Sequence, residues 1–344
     1  MAHAPSAERG ERLSIRRPGV AASADDFAGD VRRGLTSGRK FLSPKYFYDE
    51  LGSQLFDAIC LLPEYYLTRA EAEIFARRSG EIVERASRGS RVTLFELGSG
   101  SATKTRRIVE ALLARQGGLR YVPVDISPAA LEAGAHALIQ DFEGLDVSAY
   151  ASDYDAALPL LREELREGER ALVLFLGSIV GNFDREGARE FLSKVRRVLR
   201  AGDGLLLGAD LKKDRAVLED AYDDPLGVTA AFNLNLLARI NRELQADFSV
   251  RDFRHVALYD EREGRVEMHL ESVREQTVRV KALEISVDFR VGERIHTENS
   301  YKYDLDGLAA LAAETGFERA ETWLDSSERF SSNLFVAAGD KSDE

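Results

Sequence analysis

The chain has 344 residues, 44% of them hydrophobic, with a formal charge of -12 and a pI near 5.2. That balance supports a core large enough for one big domain or two, and it opposes a general nucleic-acid or acidic-membrane surface, because either polyanion is repelled over most of the exterior. A small-molecule partner is expected instead, and the single cysteine, Cys60 in "LFDAICLLPEYY", allows neither a disulfide framework nor a cysteine-based zinc site.

Residues 1–23 are small, polar and charged and lack the apolar segment of a signal peptide; a disordered tail is predicted there. No stretch reaches the length of a membrane span, so a cytoplasmic protein is expected. The stretch 24–68 has no clear pattern of its own and is expected to pack with a later insert. From residue 91, short apolar runs alternate with amphipathic helical stretches: "RVTLFELG", "TKTRRIVEALLARQ", "RYVPVDIS", "PAALEAGAHALIQDF", "LDVSAYASDY", "RALVLFLGS", "REGAREFLSKVRRVLRAGD" and "GLLLGADL". Repeated strand and helix specify an α/β domain, a parallel sheet with helices on both faces. After about residue 212 a long helical pattern leads into alternating apolar residues broken by turns, which predicts an antiparallel β-meander. The tail then returns to strand, helix and strand, and is expected to close the first sheet with an antiparallel edge. An α/β domain split by an inserted α+β lobe is the predicted architecture.

The segment "ELGSGSATKT" (96–105) is one residue short of a triphosphate loop: Lys104 and Thr105 fit, but Thr103 puts a side chain where the backbone must pass close to phosphate. For a dinucleotide, Gly98 and Gly100 fit and Thr103 replaces the third glycine, a weak match that stays open. S-adenosylmethionine, a cation without phosphate, suits the segment better. Acidic groups follow three successive strands: Glu96, then Asp125 in "VPVDIS", placed to chelate a ribose diol, then Asp153 in "ASDY". Crowded against a pyrophosphate they would repel it. Helix N-caps are the plain alternative for such acids, Asp125 before Ser127-Pro128 included.

A second substrate in an open parallel sheet lies beyond the carboxyl ends of the strands. There "ALVLFLGS" runs into "IVGNF", and the Asn182 carbonyl can accept from an amine without stabilising its ammonium form as aspartate would. An Asx-turn or a cap before "DREGARE" is the other reading. Tyr48 in "FYDE", Tyr65 and Tyr66 in "PEYYLTR" and Tyr222 in "DAYDD" offer pocket walls, although adjacent tyrosines usually divide between core and surface. If "HTENSYKY" is a strand, Glu298 and Ser300 share a face and could grip the two nitrogens of an imidazole, or form a solvated face. Met268 falls in phase with Val266 and Leu270, a core spacing. The histidines show no metal-ligand spacing, and no metal is expected.

Taken together, "PKYFYDELGSQLFDAICLLPEYYLTRAEAEI", "ELGSGSATKT", "YVPVDIS", "FLGSIVGNF", "LLGADLKKDRAVLEDAYDDPLGVTAAFNLNLLARINRELQADF" and "TENSYKY" resemble the histidine Nα-methyltransferases of ergothioneine biosynthesis, from about residue 24 to the C-terminus. Such enzymes convert L-histidine to its trimethylated betaine, hercynine. A monomer without nucleic acid or membrane is expected. The resemblance implies a Rossmann-like methyltransferase domain (69–212 and 302–344) and a family-specific substrate-binding domain (24–68 and 213–301). It further implies that Tyr65, Asn182 and Tyr222 anchor the α-amine and carboxylate, that Gly177 and Tyr48 line the site, and that Met268, Glu298 and Ser300 form the imidazole pocket. Gly98, Lys104, Asp125 and Asp153 would fall in the S-adenosylmethionine site. "GSIVGN" stands where GSTIGN is more familiar, and Asn299 and Tyr301 flank the Glu298/Ser300 pair where smaller apolar residues are usual. Relatives of the family methylate tryptophan derivatives, and another amino acid is the alternative substrate; a nicotinamide oxidoreductase and a non-catalytic sensor of the methyl donor are the rivals from other classes.

Overall fold

The computed structural model describes residues 12–17 and 24–339. Its centre is an eight-stranded sheet made of β1 (Leu13–Arg16), β2 (Arg91–Leu97), β3 (Leu119–Asp125), β4 (Leu145–Ala151), β5 (Glu169–Phe175), β6 (Gly204–Asp210), β12 (Phe317–Leu324) and β13 (Phe330–Ala337). The spatial order is β1-β4-β3-β2-β5-β6-β13-β12. The first six of these pair in parallel, and β13 runs antiparallel to both β6 and β12. The antiparallel edge expected from the tail is therefore present.

Strand side chains alternate between two cores. Leu94, Leu172, Leu174 and Leu206 face one side, against the helices Leu67–Ser87 and Arg106–Gln116; Phe95, Val173, Phe175 and Leu207 face the other, against Arg185–Val198 and Leu305–Glu314. Both faces are buried, which is why these strands read as unbroken apolar runs rather than as alternation. The order reverses around β2, with β3 on one side and β5 on the other, and the carboxyl ends of the strands meet at that switch point.

Two sequence expectations change. Residues 13–16, assigned to a disordered tail, form β1: Leu13 and Ile15 pack on the first core, and Arg16 donates to Tyr150 Oη at 3.0 Å and to Glu164 Oε1 at 3.2 Å. Four residues are too few for an alternation to stand out. The rest of that tail lies outside the described residues. Nor is the insert a simple meander: β7 (Phe253–Asp260), β8 (Arg265–Ser272) and β11 (Arg294–Tyr301) make a three-stranded sheet with β8 in the middle, while β9 (Gln276–Val280) and β10 (Ile285–Phe289) form a separate hairpin. Local alternation reports strands, not partners, and β11 bypasses its chain neighbour to pair with β8.

The stretch 24–68 packs on the insert. The helix Glu50–Leu61 lies along the helix Val228–Leu244; Asp49 caps the first and accepts from Asn235 Nδ2 at 2.8 Å on the second, and Leu42 N–H donates to His296 O at 2.8 Å. Phe232 joins the two pieces. It stacks on Phe47 with centroids 4.5 Å apart and meets Tyr48 and Phe56 at 5.8 and 6.0 Å. Removing that buried ring should cost about 3–5 kcal/mol; Phe232→Ala is expected to move the urea midpoint down accordingly, and an unchanged midpoint would show that these pieces do not depend on this joint.

Candidate active site

The loop after β2 is shaped by its glycines. Gly98 has φ +77° and Gly100 φ +49°, left-handed values that favour glycine, and a Cβ on Gly98 would lie 2.7 Å from both Ile179 Cδ1 and Tyr154 Oη. Asp125, at the end of β3, cross-links the loop: one carboxylate oxygen accepts from Gly100 N–H and the other from Ser127 N–H, each at 2.8 Å. Burial raises its pKa, and the backbone bonds work against that rise. It is not a helix cap; Ser127 takes that place at the start of Pro128–Asp141. Asp153, by contrast, does cap a short helix, accepting from Ala156 N–H at 2.8 Å.

Glu96 is nearly inaccessible, with its carboxylate turned into the fold. It accepts from Thr105 Oγ1 at 2.6 Å and from Tyr121 Oη, and burial pushes its pKa up to about 7. It supports the loop from beneath. The Lys104 ammonium does not stand free over the loop but pairs with Glu71 at 2.8 Å, and the same Glu71 carboxylate accepts from Gly177 N–H at 2.9 and 3.0 Å. Glu71, fully buried on the helix Leu67–Ser87, was not singled out from sequence; "RAEAEI" looks like a solvated charged helix, and its role depends on contacts 33 and 106 residues away.

Beyond β5 the chain turns at Gly177 (φ +70°) and Ser178 (φ +61°) into a single 3₁₀ turn, Ile179–Asn182. A non-glycine residue in the left-handed region is strained; here Ser178 Oγ accepts from Asp210 N–H at 3.0 Å, which ties the turn to the end of β6. Asn182 is half-buried at the end of this turn. The helix that follows is capped by Asp184, not Asn182, so the capping alternative is removed.

The lobe supplies the opposite wall. Tyr65 is buried edge-on to Tyr222, ring centroids 6.3 Å apart, and both Tyr48 and Tyr65 touch Phe56. Tyr66 is buried as well, against the expectation that one of the pair faces solvent, because its hydroxyl donates to Asp210 at 2.8 Å. Glu298 and Ser300 are buried on the same face of β11. Asn299 points away, its Oδ1 accepting from His296 Nε2 at 2.8 Å, and Tyr301 pairs with Arg265; the two flanking residues are thereby accounted for on the other side. Met268 pairs with Glu298 across β8 and β11 and is nearly inaccessible, a core residue that also underlies this face. Burial raises Glu298 to about 7 despite the opposing pull of Lys302, and the Glu298 charge in turn helps raise the phenols of Tyr48, Tyr65 and Tyr222.

A charge cluster missed by sequence reasoning lies behind this wall. Asp210 is paired with Lys302 at 2.8 Å and Lys213 at 2.5 Å, and Lys302 donates to Tyr222 Oη at 2.9 Å and to Ser300 Oγ at 2.8 Å. Burial opposes both charges, yet the lysines hold Asp210 below its ordinary range, and Asp210 holds Lys302 above its own. Lys213 goes the other way, pulled to about 8 by burial. The one available signal was parity: Lys302 lies two residues beyond Ser300, on the same face if the strand continues.

Because the folded-state pKa of Glu298 is raised, the ligand-free fold is favoured at low pH and loses that advantage as pH rises from about 4.5 through about 7. Glu298→Gln should therefore stabilise the ligand-free protein by up to about 3 kcal/mol at pH 8, with the gain fading toward pH 4.5; a thermal-melt difference that does not vary with pH would contradict this assignment. Residues 27–337 match the family described as histidine-specific, S-adenosylmethionine-dependent methyltransferase. The chain is 46% identical to the histidine Nα-methyltransferase of Mycobacterium tuberculosis, covering 89% of this chain and 93% of that one. It is 43% identical to the enzyme of the same name from Mycolicibacterium smegmatis, with 91% and 96% covered, and 30% identical to ergothioneine biosynthesis protein 1 of Neurospora crassa, of which it spans 32%. With a mostly parallel sheet, a glycine loop at its switch point and these similarities over most of its length, the chain belongs to the histidine-specific, S-adenosylmethionine-dependent methyltransferases.

Proposed function

We propose that this protein trimethylates the α-amine of L-histidine to hercynine, using S-adenosylmethionine as the methyl donor. The observation that carries the reading is the convergence of a buried acid, Glu298, and a buried hydroxyl, Ser300, on one strand face beside Tyr48, Tyr65 and Tyr222. An acceptor and a hydroxyl at that spacing complement an imidazole, which offers one N–H and one bare nitrogen. Indole offers only the N–H. We assign 69–212 with 302–344 to the donor domain and 24–68 with 213–301 to the amino-acid lobe.

The donor site fits a cation with hydroxyls. Asp125 keeps lone pairs beyond its two backbone bonds for a ribose diol, and Lys104, half-buried between Glu71 and Gly177, has N–H groups for a carboxylate at the amino-acid end. Gly98 and Gly100 allow close backbone approach, Glu96 holds the loop, and Asp153 stands at the rim. S-adenosylmethionine supplies an electrophilic methyl on a sulfonium, so what the protein must do is orient, desolvate and remove a proton.

The amine lone pair forms the new C–N bond as the S–C bond breaks, S-adenosylhomocysteine leaves, and the ammonium so formed gives a proton to solvent before the next transfer. An α-amine has a reference pKa near 8, so only part of it is neutral at pH 7. Tyr65 and Asn182 hold it with neutral acceptors: the asparagine carbonyl directs the lone pair without the carboxylate charge that would keep the amine protonated. Tyrosine faces tolerate the cation that grows with each methyl. Tyr222 and Gly177 complete the binding of the backbone atoms, and Met268 with Glu298 and Ser300 surrounds the ring.

Incubating the protein with S-adenosylmethionine and an equimolar mixture of the twenty amino acids should add three methyl groups to histidine alone, read by mass; another methylated amino acid would overturn the imidazole assignment. Asn182→Asp should bind histidine at least as tightly as wild type but lower kcat by about tenfold or more, and undiminished turnover would remove Asn182 from the proposed role.

A further inference from the structure

The ammonium of Lys302 is completely inaccessible and has three N–H groups, and three oxygens stand at bonding distance: Asp210 Oδ2 at 2.8 Å, Ser300 Oγ at 2.8 Å and Tyr222 Oη at 2.9 Å. Its donors are fully used. Lysine accepts nothing, so both hydroxyl oxygens receive a proton from it. Ser300 Oγ and Tyr222 Oη also lie 2.7 Å from each other, a bond that uses one of their two protons. One hydroxyl proton is left over. If Tyr222 donates to Ser300, both lone pairs of Ser300 are filled and its own O–H must point out of the cluster; in the reverse arrangement the leftover proton belongs to Tyr222. In either case one hydroxyl proton needs an acceptor outside the cluster, while a single lone pair stays open on the other oxygen.

We infer that Lys302 is a positioning residue which, anchored by Asp210, turns the Tyr222/Ser300 pair into an obligate hydrogen-bond donor and so selects a substrate whose ring carries a bare nitrogen. The inference rests on the histidine reading above and deepens it. Glu298, two residues before Ser300 on the same face, is the matching acceptor for the ring N–H. A ring that fills the pocket without a lone pair there leaves a buried hydroxyl proton unpaired, which is the most effective kind of rejection a polar site can make. Asp210 keeps Lys213 and Tyr66 as partners when Lys302 is lost, so the carboxylate is not stranded by the substitution.

The test is a double-mutant cycle on the purified full chain. Lys302→Met should raise KM for histidine at least tenfold and lower kcat by less than threefold, while the Kd for S-adenosylmethionine by calorimetry stays within twofold. Ser300→Ala should do the same, and Lys302→Met added to Ser300→Ala should change KM by less than threefold further, because the lysine acts through the hydroxyl. Lys302→Arg, which keeps a charged donor, should recover part of the loss. Independent, multiplicative effects in the double variant, or a parallel loss of S-adenosylmethionine binding, would mean that Lys302 only supports the fold and would overturn the inference. Wild-type protein that does not methylate histidine at all would instead remove the underlying reading, so the two failures are separable.

Discussion

The buried carboxylate of Asp210 is the constraint on which the arrangement of the site depends. It ends the central strand β6 and receives Lys302 from the end of β11, Lys213 from the start of the insert and the Tyr66 hydroxyl from the N-terminal stretch. Its own N–H, through Ser178, fixes the turn that carries Asn182. Three separate parts of the chain therefore have one correct position relative to the sheet. A buried ion pair is poor evidence of stability, since desolvation offsets the attraction, but a charge that must be met from three directions specifies register well. Shifting β11 by one residue would bury Lys302 without Asp210 and turn Ser300 away from Tyr222.

The same cluster leaves the site short of negative charge. One carboxylate serves two ammonium groups, and a neighbouring acid, Glu298, sits at a raised pKa because burial outweighs the lysine. A buried acid at a raised pKa costs the folded state stability at neutral pH and above. The loop after β2 is organised differently. There each acid is already engaged by the protein, Glu96 by two hydroxyls and Asp125 by two backbone N–H groups, so the loop is shaped before a ligand arrives.

The alternation of strand and helix between residues 91 and 210 was legible because a strand buried on both faces leaves an apolar run that little else produces, and the glycines of the loop after β2 announced a close approach. Tyr48, Tyr65 and Tyr222 could be offered only as pocket walls and Glu298 with Ser300 only as a same-face pair, and their particular roles are what the resemblance implies, since an isolated tyrosine or a strand acid has no local mark of function. Glu71, Asp210 and Lys302 were hidden for a stricter reason: a buried charge and a solvated one look alike in sequence, and what distinguishes them is a partner far along the chain. β1 was too short to show a period, and the pairing of β11 with β8 instead of β10 is a topological choice that alternation cannot encode.

The two ends of the insert leave the sheet side by side, with Lys212 N–H donating to Tyr303 O at 2.8 Å and Tyr303 N–H to Asp210 O at 2.9 Å. The strand that covers the β6 edge, β13, comes only after the whole insert has been made. During synthesis β6 therefore waits with an unpaired, largely apolar edge while about a hundred residues of lobe emerge, a long-range closure of the kind that slows folding and exposes strands to wrong partners. Only the chain's return from the lobe brings the strand that seals the sheet.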